Sequence, residues 1–190
     1  MSLISFCDDN LTDKNRLHSY IELYEELFNK KKESATHILE IGIGPCHPNG
    51  GSIIMWAGYF QNAFIHTVDI IPFSEINPVL YDHPRIYINI NDAYNYNFFQ
   101  NAFLSKTPRY DIIIDDGPHT LESMVNFIQM YSKVLKKDGI LVIEDIQSID
   151  WIPILKACTP IELKSYIQVY DRRHLKDRYD DILFVINKSN

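Results

Sequence analysis

A chain of 190 residues suffices for one domain with a full core and is too short for two ordinary ones. Its 46% hydrophobic and 23% charged residues are globular values, and a net charge of −7 excludes a broadly basic nucleic-acid-binding surface, because phosphate neutralisation dominates such affinity. No apolar run approaches the ~18 residues of a membrane span, and Met1–Asn10 carries no basic stretch followed by an apolar one. Cys7, Cys46 and Cys158 show neither CxxC nor zinc-type spacing and leave an odd thiol, which suits a reducing compartment. A cytoplasmic protein with neither nucleic acid nor membrane as partner is expected.

In chain order, Leu17, Tyr20, Ile21, Tyr24, Leu27 and Phe28 fall at helical spacing, and Lys30 to Glu33 marks a loop. His37–Ile43 reads as a buried strand ending in Gly42 and Gly44; a turn with Pro45, Pro48 and Asn49 follows, then a helix over 51–60. Phe64–Ile70 is a second strand, Pro72–Tyr81 short helix and loop, Arg85–Asn89 a third strand, and the stretch through Phe98 and Phe103 helical. Tyr110–Ile114 is a fourth strand. An amphipathic helix spans 120–135, its stripe Leu121, Met124, Val125, Ile128 and Leu135, with Lys136-Lys137-Asp138-Gly139 as its stop. Ile140–Ile143 is a fifth strand and Trp151–Cys158 a short helix; Ile161–Tyr170 and Asp181–Asn187 make an antiparallel pair. The alternation predicts a Rossmann-like α/β fold: a doubly wound, mostly parallel seven-stranded sheet with a C-terminal antiparallel hairpin. It forms one domain over 1–190, with a helical segment over 1–34 and the Rossmann-like core over 35–190.

The chemistry concentrates at strand ends. Asp115-Asp116-Gly117-Pro118-His119 follows the fourth strand and Glu144-Asp145 the fifth, bringing four carboxylates and an imidazole to one sheet edge. Neighbouring strands lie only ~5 Å apart, so these anions must take up protons or hold a cation. Leu39-Glu40-Ile41-Gly42-Ile43-Gly44 opens the first strand-to-helix turn, but Pro45–Asn49 displaces the third glycine, which breaks a dinucleotide fingerprint and disfavours a dehydrogenase. Asp69, ending the second strand, is placed for ribose hydroxyls, and Asp92, ending the third, for an adenine amine. Plainer roles stand beside these: Asp116 or Thr120 could cap the following helix, and Glu144-Asp145 could be a polar strand end. His37 starts a strand; His47, His66 and His83 read as surface or loop residues.

These motifs resemble the class I S-adenosylmethionine-dependent methyltransferases, and most closely the small metal-dependent sugar O-methyltransferases related to macrolide-sugar methyltransferases and cephalosporin-hydroxylase-like proteins. The likeness runs through Thr12-Asp13-Lys14, His18-Ser19-Tyr20, Gly50-Gly51-Ser52 with Met55-Trp56, Asp115–Thr120, Ile143–Ile146 and Arg178–Ile182. It implies S-adenosyl-L-methionine held by Glu40, Gly42, Gly44, Ser52, Asp69, Asp92 and Asp115, and Mg²⁺ held by Asp116, Glu144 and Asp145, with His119 as base. Whether Asp115 or Asp116 faces the metal stays open, since a one-residue slip reverses a strand side chain.

His18 and Tyr20, with Lys14, are candidates for the cofactor or acceptor pocket, although Tyr20 also fits the buried helix face. Arg172 and Arg173 lie in a basic cluster that is either a solvated loop or a clamp for a sugar-nucleotide diphosphate. The expected reaction is methyl transfer to a sugar hydroxyl, the acceptor a nucleotide-sugar or other small sugar, with a homo-oligomer as well as a monomer left open. The alternatives are a catechol-type or other small-molecule O-methyltransferase and a non-catalytic cofactor-binding subunit.

Overall fold

The computed structural model describes residues 1–44, 48–106 and 109–189; the turn residues Pro45, Cys46 and His47 lie outside them. Seven strands, β1 (His37–Ile41), β2 (Phe64–Asp69), β3 (Ile86–Ile90), β4 (Tyr110–Asp115), β5 (Leu135–Ile143), β6 (Ile167–Asp171) and β7 (Ile182–Asn187), form one sheet in the order β3-β2-β1-β4-β5-β7-β6. The first five are parallel; β7 runs antiparallel to both β5 and β6. The expected doubly wound sheet and closing hairpin are therefore present. Strand order reverses between β1 and β4, where crossovers leave on opposite faces and a crevice opens beyond the carboxyl ends.

Alternation along the central strands feeds two cores. Ile38, Ile65, Ile112, Ile140 and Val142 join α1 (Tyr20–Phe28) and α2 (Gly51–Tyr59) on one face. Leu39, Val68, Ile113 and Leu141 meet Met124, Phe127, Ile128 and Tyr131 of a helix over Leu121–Tyr131 on the other. Strands buried on both faces read as continuous apolar runs, which is why Tyr110–Ile114 and Ile140–Ile143 were legible.

Three expected boundaries differ. The first helix starts at Tyr20, not Leu17, because the Ser19 backbone N–H donates to Asp181 across the molecule rather than within a helix. The helix after β4 ends at Tyr131, and Leu135–Gly139 belongs to β5; Leu135 pairs beside Tyr110, while Lys136 bonds Asp111 at 2.8 Å, bulging the ladder before Ile112 meets Ile140. Ile161–Tyr166 is a 3₁₀ turn rather than strand: the carbonyl of Pro160 accepts from Leu163 N at 2.9 Å, and pairing begins only at Ile167.

His66 is not a surface residue. It lies within β2, 3.2 Å from His37 and stacked on Tyr87 at 5.3 Å. Burial, helped by His37, lowers its pKa from 6.5 to about 4. Between those pH values the unfolded chain takes up a proton that the folded chain refuses, so stability is lost as pH falls through that window. In urea unfolding at pH 7 and 4.5, His66→Gln should lose about 1–2 kcal/mol less than wild type, a value discounted for partial exposure. Equal losses would exclude His66 from the acid response.

Candidate functional site

A cavity of about 650 Å³ opens at the carboxyl ends of β1, β2 and β3 and reaches the Asp116-Gly117-Pro118 turn after β4. Its floor depends on Gly42: at φ 103°, with the Asp116 carbonyl only 2.1 Å from where a Cβ would stand, no other residue fits. Gly44 follows at φ 93° and lines the same cavity. Asp69 lines it too, one carboxylate oxygen accepting from Ile43 N at 2.6 Å and Gly44 N at 3.3 Å, the other from Ile70 N at 2.6 Å and Ile71 N at 3.1 Å. Asp92 is on the wall and accepts from Tyr94 N at 2.9 Å.

Asp115 and Asp116 part company here. Asp115 is buried beneath the wall and accepts from the Tyr94 hydroxyl, and burial pushes its pKa up to about 7. Asp116 turns towards His119 and Asp145. Glu40 and Ser52 do not line the cavity. They bond each other at 2.7 Å, Glu40 also takes the Trp56 indole N–H, and burial raises the Glu40 carboxyl to about 7.

The second centre borders the first, because Asp116 belongs to both. His119 Nε2 stands 3.6 Å from an Asp116 oxygen and 3.6 Å from an Asp145 oxygen, and one donor atom from each of the three lies within 4.8 Å of the others. His119 (φ 53°) and Asp145 (φ 52°) are two of the three non-glycine residues with left-handed backbones among the described residues. Such strain costs of order 1–3 kcal/mol per residue and clusters at functional sites. It aims both side chains inward. The helix-capping role falls to Thr120, whose hydroxyl accepts from Ser123 N at 3.1 Å, leaving Asp116 free of it.

Glu144 sits beside this group rather than in it. The Tyr24 hydroxyl and the Lys14 ammonium hold its carboxylate. Lys14 is 2% exposed and also reaches Asp116 at 2.7 Å and Glu40 at 3.7 Å, so the chain supplies a cation of its own to these strand ends. Burial alone would raise Asp116, but Lys14 and then His119 outweigh it and hold that carboxyl below its usual range. Burial raises Glu144 against the pull of Lys14. Asp145 is likewise raised by burial and the Asp116 charge, opposed by His18 and His119.

His18 and Tyr20 are buried and do not face an open pocket. His18 Nδ1 lies 2.6 Å from Asp181 and 3.3 Å from Asp145, its ring stacks on Tyr20 at 4.8 Å, and the Tyr20 hydroxyl donates to Asp145. They hold Asp145 in place. Ser19 and Arg178 complete this layer: the Ser19 hydroxyl donates to Asp181 at 2.9 Å, and Arg178 forks onto Asp180 at 3.1 and 3.2 Å. Arg172 donates from Nε to the Ser19 carbonyl at 2.9 Å, and Arg173 pairs with Asp171 at 2.7 and 2.8 Å. Tyr24, Tyr94 and Asp181 were missed as functional candidates, because an apolar face, an isolated tyrosine and a strand start carry no signal of a distant carboxylate or imidazole.

The donor set fits a divalent cation: the Asp116 and Asp145 carboxylates converge in a part of the fold rich in anionic groups, with the His119 imidazole beside them as a separate nitrogen base. No helix among the described residues is long and apolar enough to cross a membrane.

No family model matches the chain. It is 29% identical over 143 residues to 8-demethyl-8-alpha-L-rhamnosyl tetracenomycin-C 2'-O-methyltransferase of Streptomyces olivaceus, covering 74% of this chain and 36% of that protein. It is 30% identical over 139 residues to mycinamicin VI 2''-O-methyltransferase of Micromonospora griseorubida, covering 71% of this chain and 33% of that protein. The chain thus spans about a third of the length of these relatives. A solved structure of MycE methyltransferase from the mycinamycin biosynthetic pathway, in complex with Mg and SAH, superposes with a TM-score of 0.73 at 24% identity, over 98% of this chain and 55% of that one. This chain has the Rossmann-like fold of the class I S-adenosylmethionine-dependent methyltransferases and is similar in sequence to sugar O-methyltransferases.

Proposed function

We propose that the chain transfers a methyl group from S-adenosyl-L-methionine to a sugar hydroxyl with the help of a divalent cation, Mg²⁺ by its ligand chemistry. One observation carries this reading. Asp116 borders the nucleoside-sized cavity and also belongs to the Asp116–His119–Asp145 group, so a donor in the cavity and an acceptor at the imidazole meet at one turn. The relatives named above carry sugar O-methyltransferase names.

An alcohol is a weak nucleophile at neutral pH. His119 accepts the hydroxyl proton at Nε2, while the left-handed backbone and the Gly117-Pro118 turn hold the ring in position. Asp116 and Asp145 would hold the cation, with Glu144 close behind them; when bound, it lowers the pKa of an alcohol as it does that of water. Asp69 and Asp92 position the nucleoside, and Gly42 lets the backbone approach it. The chain's own contribution is alignment of hydroxyl oxygen, methyl carbon and sulfonium.

A nucleotide-linked acceptor is the finer form of this reading. The Arg172 and Arg173 guanidiniums, the candidate diphosphate clamp, already engage Ser19 and Asp171, which favours a neutral glycoside instead. Mass spectrometry of glycosides and nucleotide-sugars incubated with the protein, S-adenosylmethionine and Mg²⁺ should show a 14-Da gain on a sugar, abolished by EDTA. Transfer to catechols alone, or full turnover in EDTA, would overturn the reading.

Asp69→Ala should weaken S-adenosylmethionine binding by roughly 1–3 kcal/mol in calorimetry, through lost bonds to ribose and a loosened Ile43–Gly44 turn. Unchanged affinity would remove Asp69 from the site.

A further inference from the structure

The loop between β6 and β7 builds a second cleft, about 490 Å³ in volume, lined by Asp171, Arg173, His174, Asp177, Arg178 and Tyr179. Tyr179 is 63% exposed, yet its hydroxyl is tied to Gln147 Oε1 at 2.8 Å. Gln147 Nε2 in turn donates to the Asp145 carbonyl at 3.2 Å. Two hydrogen bonds therefore tie an open aromatic ring to the backbone of a member of the reactive group. The loop is built to hold this shape: Asp177 takes a left-handed backbone (φ 54°), and Arg178 forks onto Asp180.

We propose that this cleft is the acceptor subsite, taking a neutral pyranose ring with its C–H face on Tyr179 and its hydroxyls on the Asp177 carboxylate and His174. An aromatic ring covers the apolar face of a sugar while polar neighbours serve its edge. The Arg173 and Arg178 guanidiniums are already forked onto Asp171 and Asp180, so their charge is spent and a diphosphate gains little here. Asp177 adds further negative charge that repels one. This assignment rests on the methyltransferase reading only for the chemistry next door; sugar binding in the cleft is testable without it.

Methyl α-L-rhamnopyranoside serves as the probe, in saturation-transfer NMR on the intact protein. Wild type should transfer saturation to the ring hydrogens. Tyr179→Ala should weaken probe binding about tenfold or more, and Tyr179→Phe, which keeps the ring, less than Tyr179→Ala does. S-adenosylmethionine affinity, measured by calorimetry on the same preparations, should stay at the wild-type value in both variants. Equal probe binding by wild type and Tyr179→Ala, or none by wild type, overturns the subsite. Loss of S-adenosylmethionine binding by wild type would overturn the methyltransferase reading and leave the cleft standing. Uridine diphosphate binding more tightly than the rhamnoside, and in a Tyr179-dependent manner, would replace the neutral sugar by a nucleotide.

Discussion

His119→Gln should lose ~10²–10⁴-fold in kcat, the range for removing one general base, with S-adenosylmethionine affinity nearly untouched. The imidazole lies 3.6 Å from both Asp116 and Asp145, and its left-handed backbone sets it at the turn that both acids share. His18, the other nearby imidazole, is 2% exposed and its Nδ1 is engaged by Asp181 at 2.6 Å. Steady-state kinetics with S-adenosylmethionine and a glycoside acceptor test this. A His119→Gln enzyme with wild-type kcat would move the base elsewhere.

Lys14→Met should destabilise the fold by about 3–5 kcal/mol, the cost of removing one partner from a buried charge cluster. The ammonium faces Asp116, Glu144 and Glu40 together, and no other lysine or arginine pairs with these three acids among the described residues. Burial favours the neutral amine, yet the three carboxylates reverse that and raise the Lys14 pKa. Without the ammonium, Glu40 and Glu144 should take up protons more readily. A carboxyl whose folded pKa is raised gives up stability as pH climbs through that value, so the deficit should be larger at pH 8 than at pH 5.5. Urea unfolding at both pH values reads this directly. Adding Glu144→Gln to the variant should return part of the loss by removing one uncompensated charge. A deficit under about 1 kcal/mol at pH 8 would mean that another cation does the compensating.

The two results separate alignment from charge balance. His119 lies on the open side of the acidic group, the side from which the proposed acceptor approaches. Lys14 lies on its buried side and decides which carboxylates remain available. The acidic strand ends called for a cation, and the fold answers with an internal ammonium that pairs with Glu144 and one Asp116 oxygen, while the other Asp116 oxygen and Asp145 face His119.

Much of this was determined by the sequence alone. Short apolar runs ending in acids specify buried parallel strands, because a strand covered on both faces has no polar alternation and exposes only its end. The sheet and the placing of Asp69, Asp92, Asp116 and His119 at its carboxyl edge follow from that pattern and from the glycines. What only the tertiary structure decided is which way each carboxylate faces and what neutralises it. Asp115 and Asp116 are adjacent in sequence, yet one meets Tyr94 and the other His119, since the strand ends between them. Lys14 and Glu144 are 130 residues apart, and His18 and Asp181 are 163 apart, distances over which no local pattern carries information. Charge balance in a buried cluster is settled by contacts through space, and those exist only once β1, β4, β5 and the amino-terminal segment have packed together.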